Sequence, residues 1–135
     1  MKTYSNYITL ITTNAKGFPI LIKHKAILFE DENKHPYIIH RTTSGVEIIT
    51  LQEFMKGRHI INHKQYPIRR EFNAQTILAK YNQEPFDWMS NNCEDFTSHV
   101  IEDIACTPMR PYSRQRTAWI IVLAIILITM ILIKK

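Results

Sequence analysis

Short apolar runs with two-residue alternation fill the first and middle parts of the chain, and three- and four-residue spacing takes over after them. Tyr7 to Thr12 reads as a first strand, followed by an Asn14-Ala15-Lys16-Gly17 turn. His24-Lys25-Ala26-Ile27-Leu28-Phe29 and Tyr37-Ile38-Ile39-His40 flank the charged stretch Glu30 to Lys34 and predict a hairpin. A turn at Thr42-Thr43-Ser44-Gly45 leads into a strand over Val46 to Ile49. Thr50-Leu51-Gln52-Glu53 matches a capping box, so a short helix is expected over Leu51 to Met55. Ile60-Ile61 and Tyr66 to Arg69 read as two further short strands, and Asn73 to Tyr81 as a helix. After a Glu84-Pro85-Phe86 turn, Phe96, Val100, Ile101 and Ile104 mark one face of another helix. Strands in the middle and helices at the end predict an α+β domain with an antiparallel sheet.

The last part of the chain changes character. Thr107 to Arg116 holds two prolines and three arginines and reads as a linker; Ala118 to Ile133 is then an apolar run, with Thr129 its one polar residue, ending at Lys134-Lys135. With Thr117 this makes about 25 Å of helix, at the lower limit for crossing a bilayer. Arg116 and Lys134 can snorkel, and Trp119 suits an interface. Amphipathic patterning is absent and there is too little other protein to bury the run. The expected organisation is a domain over 1–106, a linker over 107–116 and a transmembrane helix over 117–133. The N-terminal stretch lacks the apolar core and cleavage site of a signal peptide, so insertion is expected from the C-terminal end, with the domain on the cytoplasmic side.

Charge changes the picture little. The formal net charge is +5, but Arg110, Arg114, Arg116, Lys134 and Lys135 carry it in a region without acidic residues. The domain is near neutral and shows no basic stripe with interleaved aromatics, which argues against nucleic acid. Cys93 and Cys106 are the only cysteines. Thirteen positions of helix separate them, too far to bridge, and a reducing compartment is the simpler reading.

Candidate chemistry centres on Asn91-Asn92-Cys93-Glu94-Asp95-Phe96. Asn92 can cap a helix that begins at Cys93, and a thiol at a helix start is drawn toward thiolate. Glu94 and Asp95 oppose that shift, so a histidine must supply the rest. In the hairpin, His24 shares a face with Ala26 and Leu28, and His40 with Ile38, which sets the two histidines side by side. That arrangement suits a base and the group that orients it. The bland alternatives are a buried core cysteine and strand histidines satisfied by backbone groups. A zinc site from His24, His40 and Cys93 has suitable ligand types but no paired-ligand spacing. His59 and His63 are expected at the surface, while His99, Cys106 and the Asp87/Glu94 carboxylates offer no chemistry.

His24-x-Ala-Ile-Leu-Phe, Tyr37-Ile-Ile-His40 and Asn92-Cys93-Glu94-x-Phe96 together resemble the lecithin:retinol acyltransferase-like family, the permuted branch of the NlpC-type papain-like thiol enzymes. The likeness covers about residues 18 to 105. It implies a circularly permuted papain-like domain in which Cys93 is the nucleophile, His24 the general base and His40 the orienting polar residue. The order His, His, Cys fits the permuted branch. Asp95 stands where that family more often has histidine, and the His24–His40 hairpin is longer than usual. The implied activity is acyl transfer or phospholipase-type hydrolysis of lipid acyl esters through a Cys93 thioester, with no cofactor and no metal. Its partners would be a phospholipid or other acyl lipid and a membrane, with the oligomeric state left open. The alternatives are an NlpC-type peptidase or amidase, and a catalytically inactive, membrane-tethered interaction domain.

Overall fold

Five strands, β1 (Tyr7–Ala15), β2 (Phe18–Glu30), β3 (Pro36–Thr42), β4 (Gly45–Thr50) and β5 (Ile60–Pro67), form one sheet in the order β4-β3-β2-β1-β5. Each of these pairings is antiparallel. The computed structural model describes residues 1–3, 5–15, 18–87, 92–109 and 112–133, with the side chains of 15, 18–22 and 112–118 outside the described set. The α+β class and the antiparallel sheet agree with the sequence reading. One difference is β5, a single strand where two short ones were expected. Its pairing with β1 runs through the polar stretch Asn62 to Gln65. β5 is an edge strand with every residue but Tyr66 exposed, so burial imposes no alternation there.

β2 lies inside the sheet and is covered on both faces. Ile27 and Phe29 join Ile8, Leu10, Ile39 and Val46 against helices α2 (Ala74–Tyr81) and α3 (Cys93–Ala105), which contribute Ile77, Tyr81, Phe96, Val100, Ile101 and Ile104. Ala26 points the other way and packs with Ile11 and Ile38 against Phe54 of the short helix α1 (Leu51–Phe54). The helix starts are where the polar residues put them. Thr50 accepts a hydrogen bond from the Glu53 N–H, and Asn73 accepts from those of Gln75 and Thr76.

The C-terminal helix α4 spans Tyr112–Ile133 and so begins earlier than the expected 117. Arg114, Gln115 and Arg116, assigned to a linker, are good helix formers, and the apolar helix extends back through them toward Pro111. Residues 119–133 are exposed. Among the described residues no helix is long and apolar enough to cross a membrane. The fifteen described side chains from Trp119 to Ile133 cover about 22 Å of helix against a hydrocarbon core of about 30 Å. The expected span at 117–133 begins and is flanked at side chains outside the described set.

Candidate active site

The two strand histidines meet on the α1 face of the sheet. His24 Nε2 and His40 Nδ1 are 2.8 Å apart, and the rings stand edge to face. Phe54 forms the apolar wall, its ring centroid 5.1 Å from that of His40 and 5.9 Å from that of His24. The Arg58 guanidinium lies 4.6 Å from the Phe54 ring centre and donates to the Phe54 carbonyl. Burial is the largest influence on both imidazoles. It lowers the His24 pKa to about 3, helped by His40 and Arg58, and the His40 pKa to about 4, helped by Arg58. Both rings are therefore neutral at physiological pH, each with one N–H and one bare nitrogen.

A carboxylate absent from the sequence reading completes this side. The β3–β4 register sets Glu47 opposite His40. Glu47 Oε1 lies 2.8 Å from His40 Nε2, yet off the hydrogen-bonding direction, so that buried nitrogen has no hydrogen-bond partner. The Thr42–Gly45 turn held the signal, because counting outward from it pairs residues 40 and 47. Arg58 and Phe54 gave no such signal, since only the packing of α1 brings them to the histidines.

Cys93 is the first residue of α3. Asn92 caps the helix by accepting hydrogen bonds from the Glu94 and Asp95 N–H groups, and the buried Asp95 carboxylate reaches back to the Asn92 N–H. Among the described residues the β2–β3 register runs from Glu30↔Pro36 to Ile27↔Ile39 and no further. Past that point Lys25 turns to α3. The Lys25 and Glu94 N–H groups face the Cys93 sulfur, and Lys25 Nζ bonds Glu94 Oε1 at 2.8 Å.

Burial raises the thiol above its ordinary 9.0, and the Glu94 charge adds to that, while the Lys25 and Glu94 N–H groups offset only part. The expected drift toward thiolate is thus reversed, because desolvation outweighs the field of the helix start. Among the described residues no hydrogen bond joins Cys93 to His24 or His40. His24 and Lys25 are consecutive on β2, so the histidine pair and the N–H that faces the thiol are one residue apart along the strand.

The remaining candidates stay apart. His59 and His63 are exposed and His99 is half-buried in α3. Cys106 is exposed at the left-handed C-cap of α3 with φ 53°, and both cysteines are free. Among the described residues no group of three His, Cys, Asp or Glu side chains could hold a metal ion. The chain matches no family model, no curated protein and no solved structure in sequence or fold comparison.

Proposed function

We propose that this protein is a membrane-associated thiol acyltransferase or phospholipase-type hydrolase built on a permuted papain-like domain, with Cys93 as nucleophile, His24 as base and His40 as orienting residue. The observation that carries the reading is the 2.8 Å His24 Nε2–His40 Nδ1 contact, one residue along β2 from the N–H that faces the Cys93 sulfur. With Nε2 engaged by His40, Nδ1 of His24 is the nitrogen left to take the thiol proton. The thiolate attacks the ester carbonyl, the oxyanion forms against the Lys25 and Glu94 N–H groups, and collapse expels the alcohol with the proton returned from His24. Water or an acceptor then attacks the thioester with His24 again as base. The thiol and imidazole start neutral, so proton transfer accompanies attack. Substrate binding at the open end of the β2–β3 ladder would draw sulfur and Nδ1 together, since catalytic hydrogen bonds commonly tighten only in the complex. The exposed apolar face of α4 supplies a lipid contact that keeps the site at the interface where acyl lipids reside.

One observation favours a second reading, an inactive tethered interaction domain: the half-buried thiol has no hydrogen bond to either histidine. The two separate in one experiment. Full-length protein is mixed with phospholipid vesicles and Cys93 is examined by mass spectrometry for an acyl adduct. The adduct should form in the wild type and in Cys106→Ala, and vanish in Cys93→Ala and His24→Ala. His40→Asn should keep part of what His40→Ala loses. No adduct in the wild type favours the interaction domain, and equal loss in Cys106→Ala removes the assignment of Cys93.

A further inference from the structure

We infer that Glu47 is a positioning residue that fixes the tautomers of the buried His40 and the half-buried His24, leaving His24 Nδ1 as the bare nitrogen. The inference rests on the proposed thiol chemistry only for its effect on turnover. The geometry of the pair determines where each proton sits. Glu47 Oε1 is 2.8 Å from His40 Nε2, and that nitrogen, in a ring about 1% exposed, has no hydrogen-bond partner as it stands. A carboxylate offers only acceptor oxygens, so it favours a proton on Nε2, and a small tilt of the ring brings that N–H onto line. A neutral His40 with its proton on Nε2 must accept at Nδ1. The 2.8 Å contact then requires His24 to donate from Nε2. His24 is left with a lone pair on Nδ1, the nitrogen that the thiol proton must reach.

Without the carboxylate the chain reverses. His40 would keep its proton on Nδ1 and donate to His24 Nε2, and His24 would carry its hydrogen on Nδ1, which cannot then act as a base. The groups that face the pair are Glu47, Arg58 and the Phe54 ring. Arg58 is a donor only and cannot choose the tautomer by accepting a proton. Its charge interacts with that of Glu47, which holds the carboxylate close to the ring without neutralising its acceptor oxygens. The Glu47 side chain is 51% exposed, so truncating it leaves the core unaltered.

The test uses full-length protein with 15N-labelled histidine, in micelles, with the two signals assigned through His24→Gln and His40→Gln. Long-range 1H–15N spectra should show His24 and His40 both protonated on Nε2 in the wild type. In Glu47→Ala both should move toward the Nδ1–H form, and Glu47→Gln, whose carbonyl can still accept, should keep the wild-type pattern. Unchanged tautomers in Glu47→Ala, or His40 carrying its proton on Nδ1 in the wild type, overturn the inference. If the protein forms the acyl adduct, Glu47→Ala should lower kcat about tenfold to a hundredfold with KM nearly constant, and Glu47→Gln should recover most of it. A Gln variant as slow as the Ala variant also overturns it. Absence of turnover in every variant removes the acyl-transfer reading alone, because the spectra still decide the role of Glu47.

Discussion

At the scale of single residues the site is a set of groups held uncharged by burial. The Cys93 thiol sits above its ordinary 9.0 while His24 and His40 sit near 3 and 4. A preformed thiolate–imidazolium pair would show the reverse pattern. We expect the alkylation rate of Cys93 by iodoacetamide to climb steadily with pH through 9, with no plateau near neutrality. A plateau between pH 5 and 8 would mean that the ion pair exists at rest. The histidine contact was legible in the sequence because two local rules fix it. Alternation sets the face of each ring, and the hairpin brings the two strands together. The setting of Cys93 was not legible. Its neighbour is Lys25 because β2 and β3 part after Ile27 and Ile39, and nothing in the residue pattern announces where a ladder ends.

Among the elements, α3 was the easiest to read. Its apolar spacing gives the buried face, and Asn92 gives the start. Asp95, which stands where the resembled family more often has histidine, is buried in the cap and accepts a hydrogen bond from the Asn92 N–H. Asn92→Ala should therefore destabilise the fold by about 1 kcal/mol, measured as a lower urea midpoint at unchanged slope. A cost near zero would show that water replaces the cap. β5 was the hardest element, because an edge strand with both faces wet carries no periodic signal. The short α1 was legible from Thr50 and Glu53, but not its consequence, which is Phe54 standing as the wall of the histidine pair.

For the whole molecule, the desolvated imidazoles make the fold sensitive to acid. Their folded pKa values lie below the 6.5 of the exposed ring, so the unfolded chain binds more protons once the pH drops under 6.5. Stability should be unaffected by these groups above pH 6.5 and fall as the pH moves from there toward 4 and 3. A His24→Gln/His40→Gln variant should lose that part of the acid slope in urea titrations, and an identical slope would place the sensitivity elsewhere. At the other end of the molecule, α4 exposes Trp119 and a run of Ile and Leu to Ile133. If lipid covers that surface, the full-length protein should resist alkaline carbonate extraction and a chain ending at Arg116 should be freely soluble. Release of the full-length protein by carbonate would mean that another protein surface covers the helix.

The parting of β2 from β3 has a consequence in isotope exchange. In an unbroken sheet an amide is protected by the neighbouring strand, and its exchange reports the opening of that strand. The Lys25 N–H instead faces a sulfur atom of α3. Any bond made to that sulfur changes what the amide sees, while the rest of the ladder is untouched. Deuterium uptake at Lys25, compared with that at Ile27 two residues on, would thus follow the occupancy of Cys93 from within the backbone.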